Sequence, residues 1–219
     1  MNLMTERVKS SRKYSSPLRA GQAAATRQQV LDAGWLMFTT RGYAATTVAD
    51  VAEAAGVSVD TLYATVGRKS VLLRAVIESA ISGTPETVPA EERDYVRQVR
   101  AAPDAATALR IYAKAIVGLS PRTAPIFAAL RDAARTDPAC AALDDEISSR
   151  RASNMLLMAH ELRTKGGLRS DLDDRFVADT IWATAGSEHY LQLVRGRGWT
   201  AEQFGNYLTE LWTRTLLAR

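Results

Sequence analysis

Between Thr46 and Leu73 the chain reads TTVADVAEAAGVSVDTLYATVGRKSVLL, and apolar residues return at helical spacing in three short bursts. Val48, Val51, Ala52 and Ala55 share one face of a first helix about two turns long. Thr47 followed by Asp50 is the spacing at which a hydroxyl and a carboxylate satisfy the free amides of a first turn, so a helix start is predicted there. Gly56 supplies the left-handed backbone that ends it. Ser58 caps a second start two residues later, and Leu62 anchors the segment from Val59 to Ala64. Gly67 breaks that helix, and a third opens at Arg68-Lys69-Ser70, turning Leu72, Leu73, Val76 and Ile77 inward. Two helices joined by so short a turn must cross steeply, which is the helix-turn-helix arrangement whose second helix is presented to a DNA major groove. Alanines at 49, 52, 54 and 55 allow the close approach.

A helix over residues 22–40 precedes this motif, with Val30, Leu31, Gly34, Met37 and Phe38 on one face and Arg27, Gln28 and Gln29 toward solvent. The third helix of the motif runs to about Ser82, where Gly83-Thr84-Pro85 stops it. Beyond a Pro- and Glu-containing loop every readable segment is again helical: 92–101, 104–118, 122–136, 138–165, 172–195 and 200–217, punctuated at Pro103-Asp104, Ser120-Pro121, Asp137-Pro138, Gly166-Gly167 and Gly196 to Gly198. No strand alternation competes and no internal repeat is visible. The fold class is all-α. The predicted organisation is a flexible basic arm at 1–21, an N-terminal three-helix domain with the helix-turn-helix at 22–83, and a C-terminal helical domain at 84–219.

The last two helices carry Phe176, Ile181 and Leu191, then Phe204, Tyr207, Leu208, Leu211 and Trp212. That is more apolar surface than two terminal helices of a small domain normally bury within one chain. A two-fold four-helix bundle absorbs it, so these residues are the predicted homodimer interface, a fully intramolecular core being the competing arrangement.

Composition sharpens the picture in places. Of 219 residues 47% are hydrophobic, enough for a sizeable core, and the formal charge of +4 suits an anionic partner. Arg7, Lys9, Arg12, Lys13 and Arg19 stand against Glu6 near the N-terminus, an arm that either stays solvated or lies along phosphates. No apolar run has the length of a secretion signal or a membrane span, which points away from a membrane. The single Cys140 excludes an intramolecular disulfide and agrees with a cytoplasmic location. Catalytic chemistry finds no constellation. His160 and His189 fall on different helices, so neither a metal site nor a cofactor is expected. Ser187-Glu188-His189 are consecutive helical residues that point in different directions and cannot form a triad among themselves. Gly196, Gly198 and Ala201 mimic a dinucleotide fingerprint but follow a helix, and read as a turn.

Arg27, Val30-Leu31, Met37-Phe38, Gly42-Tyr43, Thr46-Thr47, Val51-Ala52, Ala55-Gly56-Val57-Ser58, Thr61-Leu62-Tyr63, Lys69 and Leu72-Leu73 together resemble the N-terminal domain of the TetR family of bacterial transcriptional repressors, in spacing as well as residue type. Residues 26–74 are covered. The sequence departs at Asp60, where the family has Gly, at Thr65-Val66, where an aromatic pair is usual, and at Ser70 in place of Glu. The first turn of the second helix offers Val59, Asp60 and Thr61 to base edges: a valine can meet a thymine methyl, a threonine can hydrogen-bond a base, and an aspartate can accept from a cytosine amino group or complement the helix dipole. Tyr63 and Lys69 match family positions that touch the phosphate backbone; Arg68 and Thr47 join them, and the phenol of Tyr43 reaches a phosphate or packs over its turn. The resemblance implies a ligand-responsive repressor acting as a homodimer on a double-stranded DNA operator, with a small-molecule effector cavity among the C-terminal helices. Tyr112, Phe127, Met155, Met158, His160, Trp182 and His189 have the character such a cavity uses. Rival readings are an activator or co-regulator with the same DNA contacts, or a helical ligand carrier that has lost DNA binding.

Overall fold

The structure, a computed structural model, describes residues 17–218, the side chains of Pro17 and Leu18 excepted. The helices are α1 (Pro17–Thr40), α2 (Val48–Ala54), α3 (Val59–Val66), α4 (Lys69–Ser82), α5 (Asp94–Ala101), α6 (Ala105–Ala134), α7 (Pro138–Thr164), α8 (Asp174–Thr184), α9 (Ser187–Tyr190) and α10 (Ala201–Leu216). The expected basic arm lies mostly outside the described residues, and its last part, from Pro17, belongs to α1. Among the described residues the one bridge of extended backbone pairs Leu168 with Leu217, tying the end of α10 to the turn after α7.

Helix starts follow from their caps. Thr47 and Asp50 form a reciprocal capping box, Ser58 accepts from the amide of Thr61, and Asp104, Asp137 and Asp173 cap α6, α7 and α8. Gly56 closes the α2–α3 turn at φ 67°, a conformation costly for any residue with a Cβ.

Three features differ from the expectation. α6 runs unbroken through Ser120-Pro121, where the sequence predicts an interruption, and contains both Pro121 and Pro125. Each proline removes an amide and leaves the carbonyl four residues earlier, at Val117 or Pro121, without its helical donor, a cost of roughly 3 kcal/mol in a free helix. The segment stays helical because Ser120, Ala124, Pro125, Ile126 and Ala129 form a continuous buried face, and tertiary burial overrides local propensity. The reverse holds at 172–195. That stretch breaks at Ala185-Gly186, resumes as α9, and widens into a π-turn over Leu191–Arg195. Finally, Arg27 does not face solvent: its guanidinium donates to the carbonyls of Thr65 (2.9 Å) and Pro85 (3.1 Å), pinning α1 to the end of α3.

Two apolar cores result. The first joins α1–α4 to the end of α6 and the start of α7, through Val30, Phe38, Leu62 and Leu72 against Ile126, Leu130, Cys140 and Leu143. The second packs the start of α6, the end of α7, α8 and α10 around Leu109, Leu162, Ile181, Phe204 and Trp212. Gly34 and Gly205 set the closest approaches: a Cβ at 34 would stand 3.0 Å from Val76, and one at 205 would overlap Val117 on α6. Gly205→Ala therefore tests the α6–α10 contact. Helix propensity alone would stabilise the variant by about 1 kcal/mol; overpacking is expected to outweigh that by about 1 kcal/mol or more, a net destabilisation read by urea unfolding.

Candidate functional site

α3 turns Leu62 and Val66 into the first core and presents Val59, Asp60, Thr61 and Tyr63 to solvent, Val59 at 39% and Tyr63 at 50% exposure. Exposed apolar and aromatic side chains on a helix otherwise anchored inward are surface available to a partner. Two of the departures from the family pattern leave α3 undisturbed, because Val66 fills the core and the Thr65 hydroxyl donates to the carbonyl of Thr61. Thr61 is doubly used: its amide donates to the Ser58 hydroxyl and its own hydroxyl lies 2.8 Å from the same atom. Thr47 and Arg68 are exposed at the starts of α2 and α4. Lys69 is half-buried with its ammonium 4.1 Å from the centre of the Tyr43 ring, a cation–π placement that fixes the amine beside the motif.

Tyr43 itself does not offer its phenol to DNA. The ring is buried, 5.6 Å from that of Phe38, and its hydroxyl donates to Asp137 Oδ2 at 3.0 Å. Packing over the turn wins because the hydroxyl already has a carboxylate acceptor. Burial, with Cys140 and Asp137 as neighbours, drives the Tyr43 phenol well above its ordinary pKa. Asp137 also caps α7, accepting from the amides of Ala139 (2.8 Å) and Cys140 (3.3 Å). Burial pushes its carboxyl up, but the bonds from Tyr43 and the two amides outweigh that and hold it below the ordinary range. Further links cross from the motif to α6 and α7. Trp35 Nε1 donates to the Arg122 carbonyl (2.8 Å), Arg122 Nε to the Ala80 carbonyl (2.6 Å), Arg74 forms a bidentate pair with Glu146, and Arg150 reaches the buried Glu78 at 2.7 Å.

Above these links lies a cavity of about 640 Å³ between α5, α6, α7 and the α8–α9 break. Of the residues expected in an effector pocket, Tyr112, Phe127, Met155, Met158 and Trp182 line it. His160 and His189 do not. The His160 ring is largely exposed and sits 3.4 Å from Asp174; the His189 ring stacks on Tyr207, and burial lowers its pKa. Sequence reading missed the charged lining, which includes Arg93, Arg131, Asp144, Arg150, Arg151 and Glu188, because nothing in the local pattern of α6, α7 or α9 says which polar residues turn inward.

The expected dimer interface also needs correction. Ile181, Phe204, Leu208 and Trp212 have no exposed surface within a single chain, and Leu191, Tyr207 and Leu211 are half-buried against the same core. The apolar excess of the last two helices is absorbed by α6, a long helix that the sequence seemed to divide in two. Phe176 on α8 remains 48% exposed, as do Leu156 (49%) and Leu157 (61%) on α7, the helix against which α8 packs.

Residues 30–76 match the family model described as bacterial regulatory proteins, tetR family. The chain carries a TetR-family DNA-binding domain. No curated protein matches it. Among solved structures it is similar to the fatty acid degradation regulator FadR of Bacillus halodurans (19% identity, TM-score 0.72, covering 94% of this chain and 100% of that one). It is also similar to FadR of Bacillus subtilis in complex with stearoyl-CoA (18%, 0.68, 85% and 97%) and to a transcriptional regulator of Saccharomonospora viridis in complex with choline (18%, 0.66, 88% and 98%). At these identities the likeness is one of fold, and it extends the TetR-type architecture past the matched domain into the cavity-bearing helices. Among the described residues no helix is long and apolar enough to cross a membrane, and no group of three or more His, Cys, Asp or Glu is placed to hold a metal.

The Tyr43–Asp137 bond yields a prediction. Because the Asp137 pKa is depressed in the folded protein, its stabilisation is complete above the ordinary carboxylate value of 3.8 and is lost as pH falls through the lower folded value. Tyr43→Phe should cost about 1 kcal/mol at neutral pH and lose less stability than the parent over that acid window, as measured by thermal unfolding.

Proposed function

We propose that the protein is a homodimeric TetR-family repressor that holds a palindromic operator through two copies of α3 and releases it when a small molecule fills the cavity. The observation that carries this reading is the double duty of α6. Its residues Tyr112, Ile116, Ser120 and Phe127 line the cavity, while Ile126, Leu130 and Ala133 belong to the core of the DNA-binding domain. A ligand that favours one setting of α6 therefore biases the seat of α1–α4. Such a ligand acts only through different affinities for the two settings.

Val59, Asp60 and Thr61 read base edges, and Tyr63, Lys69, Arg68 and Thr47 hold phosphates. The two copies meet through the outer face of α7 and α8. There Ser149, Ala152, Ser153 and Leu156 recur at helical spacing beside Phe176 and Ala183, all exposed. Small residues permit close approach, and Leu156 and Phe176 gain burial, as in a two-fold bundle. The site of action is the cytoplasm, where the operator DNA is.

Fluorescence anisotropy with the DNA upstream of the protein's own gene, against a shuffled control at two salt concentrations, tests DNA recognition. Selective, salt-weakened binding is expected. Lys69→Ala should weaken binding to all sequences and lower the salt slope by about one, whereas Thr61→Ala should change preference among sites; equal sequence-independent losses would reverse these assignments. Phe176→Arg should yield monomers by light scattering and at least tenfold weaker operator binding; a surviving dimer would move the interface elsewhere.

A further inference from the structure

The polar lining of the cavity is unbalanced toward donors at one place. Trp182 Nε1 is enclosed and, among the described residues, is the buried side-chain polar atom without a hydrogen-bond partner. The buried Tyr112 hydroxyl has only the thioether of Met155 at 3.6 Å, a weak acceptor. Arg151 lies over the Trp182 ring, 5.3 Å from its centre, and spends one donor on the Trp182 carbonyl at 2.6 Å. That carbonyl is free because α8 ends at Thr184, so the helix break itself positions the guanidinium. Of the arginines around the cavity, Arg100, Arg131 and Arg150 are each neutralised by a glutamate, and Arg93 spends Nε and Nη2 on the Val88 carbonyl; Arg151, beside the unpaired indole, forms no ion pair among the described residues. An enclosed N–H left unpaired is destabilising, and a guanidinium with unused donors on an apolar wall calls for an acceptor.

Resting on the regulator reading above, we infer that the effector is an apolar carboxylic acid, its carboxylate taken by Arg151 and the Trp182 indole N–H and its body lying against Ile116, Phe127, Ile147 and Met158. A carboxylate presents only acceptors and matches the guanidinium fork. A neutral molecule satisfies the indole and leaves the charge; a cation is repelled by it. Asp144 stands seven residues, about 10 Å, earlier along α7, too far to pair with the Arg151 guanidinium, and burial raises its pKa. Burial likewise pushes Tyr112 up to about 12, against the nearby charge of Arg151, so its phenol stays a donor.

The test is calorimetric titration of the full-length protein with dodecanoate and 1-naphthylacetate, each against its primary amide, and with dodecylamine. At least one acid should bind about tenfold or more tightly than its amide and than the amine. Arg151→Gln should erase that margin while leaving amide binding in place, which also shows that the cavity remains folded; Arg151→Lys should restore part of it. Trp182→Phe should weaken the acid several-fold. Failure of both acids to bind, equal binding of amide or amine, or an intact margin in Arg151→Gln would overturn the inference. Operator affinity is read separately by anisotropy: an acid that binds as expected without loosening the operator would count against the regulator reading and leave the carboxylate site standing.

Discussion

The structure hangs on the burial of α6 along its whole length. Two prolines and Ser120 would end an exposed helix, and each proline leaves a carbonyl without its usual donor. They are tolerated because apolar surface closes on the helix from both sides, with the motif core around Ile126 and Leu130 at one end and the core around Leu109 and Trp212 at the other. One rigid element thus belongs to both cores. The cavity lies where it passes from one to the other, so the same helix borders the cavity and seats the motif.

Around this axis, polar contacts fix what apolar packing leaves free. Arg27 holds the carbonyl end of α3, Asp137 joins the cap of α7 to Tyr43, and Trp35 and Arg122 lace α1 and α4 to α6. Arg27 and Arg122 take the carbonyls of Thr65 and Ala80 at the ends of α3 and α4, where no further helical amide follows, so orientation is set by groups whose desertion carries a cost.

How much of this could be read from the sequence depended on how local the cause was. The motif was legible because caps and turn glycines act within a few residues: Thr47 with Asp50, Ser58, and Gly56 lie where the pattern put them. The continuity of α6 was not, because Pro121 signals a break locally and the burial that overrides it comes from chain far away in sequence. The same distance hid Arg27 and Tyr43, whose partners Thr65, Pro85 and Asp137 lie 38, 58 and 94 residues off. Aromatic and methionine residues of the cavity could be picked out by type; its arginines could not, since solvated and inward-turned arginines look alike in a linear pattern.

The pairs Arg74–Glu146 and Arg150–Glu78 tie α4 to α7. All but Glu78 keep considerable exposure, so dissolved ions reach them, and pairs of this kind weaken as ionic strength rises. In the repressor proposed above, salt would then act twice, once at the phosphates and once at the clasp that holds the motif in register. The steepness with which operator affinity falls with salt would exceed the number of phosphates touched, and part of what looks like electrostatic adhesion would be mechanical alignment coming loose.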